Sequence, residues 1–185
     1  MIDPKRRLFN VSEYHAMMDA GILREDERVE LIEGEILFKI PTGSRHSRAV
    51  AYLDRTFQRS LSPDTLVFVQ GPVFLNGVSE ARPDITVVRF RYDFYVDSPP
   101  APQDALLFVE VAAKSRDDER DARISLYGRS GVSETWLVKL RKSVLEVYRQ
   151  PTPHGYAEVR QLRRGETVSP QAFPELQVKV DEILG

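Results

Sequence analysis

Ala105-Leu-Leu-Phe-Val-Glu-Val-Ala-Ala113 is an apolar run interrupted by a single charge, Glu110. It lacks the polar alternation of a half-exposed strand, and a run this continuous suits a central strand covered on both faces. Downstream, Asp117 to Ser130 reads as a helix: acids crowd its first turn, where the helix dipole favours them, and Gly131 follows its end. Thr135-Trp-Leu-Val138 returns to strand-forming residues. Strand, helix and strand over 105–139 make a parallel step, with a right-handed crossover expected. Ser143 to Gln150 reads as a further strand, and a last pair falls near Tyr156 to Leu162 and Leu176 to Val180.

Upstream of the run, Thr65 to Leu75 and Asp84 to Phe90 read as strands rich in Val, Phe and Ile. Arg28 to Ile40 holds two β-rich stretches around Glu33-Gly34, where glycine suits the positive φ of a tight hairpin turn. Ser44 to Leu61 has helical spacing, with Val50, Leu53, Phe57 and Leu61 on one stripe and His46 on the same side. Arg48, Arg55 and Arg59 form a basic strip on another face. Asn10 to Ala20 reads as a short helix, with Ser12 as N-cap and Gly21 as C-cap. Asp97 to Gln103 is proline-rich and reads as an exposed extended loop, too short to separate domains. The expectation is one α/β (α+β) domain over residues 1–185. It has a mixed central β-sheet flanked by helices and an additional antiparallel β meander.

The 185 residues carry 26 basic and 28 acidic side chains, a net charge of −2, no cysteine and three histidines. The length supports a core without metal or disulfide staples. The missing cysteines exclude disulfide scaffolds, thiolate zinc sites and cysteine nucleophiles. No apolar run approaches the roughly 20 residues that span a bilayer. The N-terminal MIDPKRRLF has no signal-peptide core, so a cytoplasmic location without membrane association is expected. The near balance of charge gives no global attraction to nucleic acid, so any such contact must come from local patches.

Glu110 is the residue that asks for chemistry. Burying a carboxylate in mid-strand costs several kcal/mol (order of magnitude) unless it is paired, hydrogen-bonded or metal-bound. Pro83-Asp84 opens the preceding strand. If the two strands are neighbours, Asp84 and Glu110 converge, and with the Val111 carbonyl they offer hard oxygen ligands to a divalent cation. From spacing alone the plainer reading stands equally: a Pro-Asp turn, and a strand glutamate paired with an arginine.

Several stretches together resemble one family. They are Val29-Glu-Leu-Ile-Glu-Gly-Glu35, Ser44-Arg-His46, Val69-Gln-Gly-Pro-Val73, Ser79-Glu-Ala-Arg-Pro-Asp84, Val109-Glu-Val-Ala112 and Leu126-Tyr-Gly-Arg-Ser-Gly-Val-Ser-Glu-Thr-Trp-Leu-Val138. In this order and spacing they are similar to the Uma-type restriction endonuclease family of the PD-(D/E)XK nuclease superfamily, from about Leu8 to Gly185. The resemblance implies a restriction-endonuclease-like core and hydrolysis of DNA phosphodiester bonds with Mg²⁺ or Mn²⁺.

Carried over by position, Asp84 matches the aspartate of the PD motif and Glu110 the acid of (D/E)XK, with Val111 as the carbonyl ligand. Ala112 stands where the superfamily usually has lysine. In relatives whose lysine has migrated to the following helix, the matching position here is Arg123, and Ala113 stands where the family often has aspartate. Arginine keeps the charge that steadies a phosphorane but does not give up its proton. Lys114 shares strand parity with Glu110, about 13 Å along an extended chain.

Glu30, Glu35, His46, Gln70 and Glu80 match accessory positions. Their ordinary roles are, respectively, solvated hairpin acids, a satisfied core histidine, and hydrogen bonds that order the loop before Asp84. Tyr127 and Trp136 read most simply as core aromatics. Arg48, Arg55 and Arg59 could grip phosphates or simply face solvent, and Arg116 and Arg120 suit intrahelical pairs with nearby acids. Cleavage of both strands of a palindrome would suit a homodimer. Two alternatives stay open: a catalytically weakened nuclease fold that binds nucleic acid or protein, and a dimerisation module built on the C-terminal strands.

Overall fold

The computed structural model describes residues 6–24, 26–39, 43–113 and 117–185, with backbone only at 117–120. In chain order the elements are α1 (Val11–Asp19), β1 (Val29–Ile32), β2 (Glu35–Phe38), α2 (Ser44–Ser60), β3 (Thr65–Val69), β4 (Val73–Asn76), β5 (Ser79–Ala81) and β6 (Ile85–Arg89). A 3₁₀ turn at Pro102–Asp104 leads to β7 (Ala105–Ala112), α3 (Asp117–Arg129), β8 (Glu134–Lys139), β9 (Val144–Thr152) and β10 (Gly155–Leu162). The chain then forms β11 (Thr167–Val168), β12 (Val178–Lys179) and α4 (Val180–Leu184).

The apolar run is a central strand. A mixed sheet has the order β10-β9-β8-β7-β6-β3, in which β7 pairs antiparallel with β6 and parallel with β8. Because side chains alternate along a strand, β7 feeds two cores. Leu107, Val109 and Val111 join Val50, Leu53 and Phe57 of α2 and Ile183 and Leu184 of α4. Phe108 and Ala112 join Ile124 and Tyr127 of α3, together with Val73, Leu75 and Ala81 of a second sheet. Each fully buried Leu, Val or Phe stabilises by about 1.5–3 kcal/mol, so both faces of β7 anchor the site.

The second sheet is antiparallel, β2-β1-β5-β4. Its hairpin turns at Glu33 and Gly34, both at positive φ (49° and 83°) as a two-residue primed turn requires. Val29 and Leu31 pack against Val11 and Tyr14 of α1.

Three local expectations are corrected. Thr65 to Leu75 is not one strand: Gln70 sits at φ 55° and Gly71-Pro72 follows, so β3 stays in the mixed sheet while β4 crosses to the second. α1 is capped by Asn10 rather than Ser12, through a capping box in which Asn10 Oδ1 accepts from Glu13 N at 2.8 Å and Glu13 Oε2 accepts from Asn10 N at 3.1 Å. The last expected strand, Leu176 to Val180, is extended only at Val178–Lys179, and Val180 opens α4. Tyr156 to Leu162 belongs to β10 on β9, whereas β12 pairs with β11 and runs straight into α4.

α3 lies unusually close to the turn joining β9 and β10. A Cβ on Gly128 would stand 2.5 Å from the Gly155 carbonyl carbon. Among the described residues, no helix is long and apolar enough to cross a membrane.

Candidate active site

The register of the two central strands places the acids. Ile85 pairs with Val109, so Asp84, just before β6, lies beside Glu110, one residue further along β7. Asp84 is 3% exposed and Glu110 1%. Each carboxylate therefore needs partners from the surrounding elements.

Asp84 is held from four sides. Oδ2 accepts the Val111 N–H at 2.8 Å and lies 3.0 Å from His46 Nε2 on α2. Oδ1 lies 3.3 Å from Lys39 Nζ and 3.4 Å from Gln70 Nε2. Burial alone would raise this carboxyl's pKa. The His46 hydrogen bond, the Lys39 and His46 charges and the Val111 N–H outweigh it and hold the group well below the ordinary carboxylate range.

Glu110 is served from α3. Tyr127 donates its O–H to Glu110 Oε1 at 2.7 Å, and Arg123 Nη1 lies 3.9 Å from the same oxygen. Arg123 and Tyr127 are one helical turn apart, so both project from the same face of α3. Burial, then the Glu110 charge, push the Tyr127 phenol far above its ordinary pKa, which keeps it a donor.

Arg123 is shared with a third acid. Glu30, on β1 and fully buried, receives Arg123 Nη1 at 2.6 Å and pairs through its other oxygen with Nη2. Burial opposes the guanidinium charge, but Glu110, Tyr127 and Glu30 together raise its pKa further above the usual arginine value. Glu30 Oε2 also accepts the Arg82 N–H at 3.1 Å, tying β1 to the segment that leads into Asp84.

The structure thus forms two sets that the β6–β7 register sets side by side: Asp84 with Val111, His46 and Gln70, and Glu110 with Arg123 and Glu30. Val111 contributes its N–H to Asp84. Glu35 lies apart, in an exposed pair with Arg6 at 2.7 Å. Glu80 is buried, but its carboxylate bonds His15 Nε2 on α1 at 2.7 Å. Arg48 donates to the backbone oxygens of Glu182 and Ile183 in α4, at 3.0 and 3.5 Å. Arg55 and Arg59 are exposed, about 14 and 20 Å along the helix axis from His46. Trp136 is a core residue, its indole N–H bonded to Glu134 Oε1 at 2.7 Å. Lys114 and Arg116 lie outside the described residues, as does the Arg120 side chain.

Sequence reading missed Lys39. It follows the last paired residue of the hairpin, and its partner Asp84 is 45 positions away, so no local pattern marks it. Tyr127, by its sequence a core aromatic, is both a core residue and a hydrogen-bond donor to Glu110. The helical spacing of Tyr127 from Arg123 was the available signal.

Residues 11–181 match the Uma2 family, described as "Putative restriction endonuclease". No curated protein matches the sequence. Among solved structures, a putative nuclease belonging to DUF820 from Anabaena variabilis ATCC 29413 is similar, with a TM-score of 0.73 at 18% sequence identity. The likeness covers 95% of this chain and 97% of that one, and the shared fold is nuclease-like. The family match spans the whole buried group, from Glu30 through Asp84 and Glu110 to Tyr127, and on that evidence the chain belongs to the Uma2 family of putative restriction endonucleases.

Proposed function

We propose that the protein is a divalent-metal-dependent endonuclease that hydrolyses DNA phosphodiester bonds at the Asp84–Glu110 group. The observation that carries this reading is the placement of two buried carboxylates at adjoining positions of neighbouring strands. Family membership supports it.

The donor chemistry fits a hard cation. Among the described residues no three His, Asp or Glu side chains cluster to form a ready-made metal cage. Mg²⁺ commonly takes only one or two protein carboxylates and completes its shell with water and substrate phosphate. Asp84, Glu110 and the Val111 carbonyl would hold it, and when bound it supplies an activated water and neutralises charge on the phosphoryl group. The chain's own groups do the positioning. His46 and Gln70 orient Asp84 from α2 and from the loop after β3, and Tyr127 orients Glu110 from α3. Arg123, neutralised by Glu30 on one side, places positive charge next to Glu110.

Incubation with supercoiled plasmid, with and without Mg²⁺ or Mn²⁺, tests the proposal. Metal-dependent nicking or linearisation that disappears in Asp84→Asn and Glu110→Gln is expected. Absence of cleavage by the wild type, or unchanged cleavage by Asp84→Asn, overturns it.

A second reading has its own observation. Arg123 is engaged by Glu30, and Ala112 leaves the usual lysine position empty of charge. A nuclease fold weakened in this way would act as a nucleic-acid or protein binding module. Arg123→Lys separates the two: a marked gain of cleavage means that the rest of the site is assembled, while binding that persists without divalent metal and without cleavage favours the binding module.

A further inference from the structure

A phosphodiester entering this group adds negative charge to three acids already present. Asp84, Glu110 and Glu30 face Lys39, Arg123 and His46. A cation that meets the substrate must stand clear of competing acids. Arg123 is held between two, with both terminal nitrogens on Glu30 and Nη1 3.9 Å from Glu110 Oε1, and His46 is 4% exposed with its Nε2 on Asp84. Lys39 differs. An ammonium carries three N–H donors, and among the described residues Lys39 directs two of them, to the Arg82 carbonyl and to Asp84 Oδ1. One remains, on a side chain that keeps 18% of its surface open.

The position of Lys39 is fixed by its own hairpin. Lys39 N donates to Arg28 O at 2.6 Å, which extends the β1–β2 ladder beyond its last pair. The turn of that hairpin is tied down in turn: Gly34 N donates to Val78 O at 2.8 Å, and Phe9 N donates to Gly34 O at 2.9 Å. The ammonium is therefore delivered to Asp84 by the second sheet, from a different part of the chain than β7 or α3.

We propose that Lys39 is a catalytic residue of this site, its free N–H donating to a non-bridging oxygen of the phosphodiester, in the role that Ala112 lacks and that Arg123, engaged by Glu30, does not fill. The assignment rests on the nuclease reading above. In the associative phase of hydrolysis, charge grows on the non-bridging oxygens, and a fixed ammonium next to Asp84 is aimed at that charge without rearrangement. The lysine keeps its proton throughout and no bond to it forms or breaks.

The test compares wild type, Lys39→Met, Lys39→Arg and Asp84→Asn in three measurements: single-turnover cleavage of a duplex with Mn²⁺, duplex affinity with Ca²⁺ in place of Mn²⁺, and calorimetric titration of Mn²⁺ alone. Lys39→Met should slow cleavage by about 100-fold or more, with duplex affinity within a few fold of wild type. Lys39→Arg, which keeps the charge, should recover most of that loss. Mn²⁺ should bind Lys39→Met about 10-fold more tightly, because a neighbouring positive charge has been removed. Cleavage by Lys39→Met at the wild-type rate, with Asp84→Asn inactive, overturns the lysine assignment and leaves the site standing. Equal losses in Lys39→Met and Lys39→Arg also overturn it, since they mark a lysine needed only for the fold. If the wild type cleaves nothing, the nuclease reading fails. The catalytic assignment of Lys39 falls with it, whatever the Mn²⁺ titration shows.

Discussion

Tyr127 donates its phenol O–H to Glu110 Oε1 at 2.7 Å, with both residues buried. This bond links α3 to the central strand and sets the direction of the carboxylate. Removing the hydroxyl leaves a buried charge short of a donor, which costs about 1–3 kcal/mol. Tyr127→Phe is expected to lower the melting temperature by about 2–10 °C and to reduce plasmid cleavage. Calorimetry and the cleavage assay check both, and an unchanged melting temperature counts against the bond.

Glu30 and Arg123 form a buried ion pair between the second sheet and α3. Breaking such a pair by removing one partner costs about 3–5 kcal/mol, largely because the other charge is stranded. Glu30→Gln and Arg123→Met should each destabilise strongly, and the double variant should lose clearly less than the sum of the two. A urea double-mutant cycle measures this, and additive losses would show that the pair is uncoupled.

Gly128 is needed for close approach. A Cβ there meets the carbonyl carbon and oxygen of Gly155 at 2.5 and 2.7 Å, and backbone cannot swing aside as a side-chain tip can. Gly128→Ala should destabilise by about 1–3 kcal/mol, although alanine ordinarily favours a helix. A denaturation midpoint at or above that of the wild type would contradict the packing of α3 on the β9–β10 turn.

The depressed pKa of Asp84 has a definite sign in the metal-free protein. Its folded value lies below the ordinary carboxylate value of about 4, so its ionised form stabilises the fold. That contribution is complete above the unfolded pKa and is lost as pH falls through the folded one. In chelator, the stability of the wild type should fall from about pH 4 downward. Asp84→Asn should flatten this part of the profile. Parallel acid limbs for the two proteins would contradict it.

The parts of the fold that were legible in the sequence are those written in local pattern. The hairpin at Glu33-Gly34, α2, the apolar strand Ala105–Ala112 and α3 each follow from periodicity or turn chemistry within a few residues. Family motifs also single out Asp84 and Glu110, and the register sets them at adjoining positions of neighbouring strands. The rest depends on distant contacts. Glu30 reaches Arg123 across 93 positions and Lys39 reaches Asp84 across 45, and neither separation leaves a periodic trace. Arg48 shares a basic helical face with Arg55 and Arg59, which by pattern alone suits a phosphate-gripping strip. Its hydrogen bonds to the α4 carbonyls depend on where the C-terminus packs, which the helix itself does not encode. The division of Thr65 to Leu75 was legible in Gly71-Pro72, but the continuous run of β-forming residues outweighed it.

Whether Asp84 and Glu110 form one metal-binding catalytic group is decided by a crystal soaked in Mn²⁺. An anomalous-difference peak bridging the two carboxylates is expected in the wild type, and its loss in Asp84→Asn. Saturating Mn²⁺ with no peak there, and Arg123 still turned to Glu30 and Glu110, would contradict it.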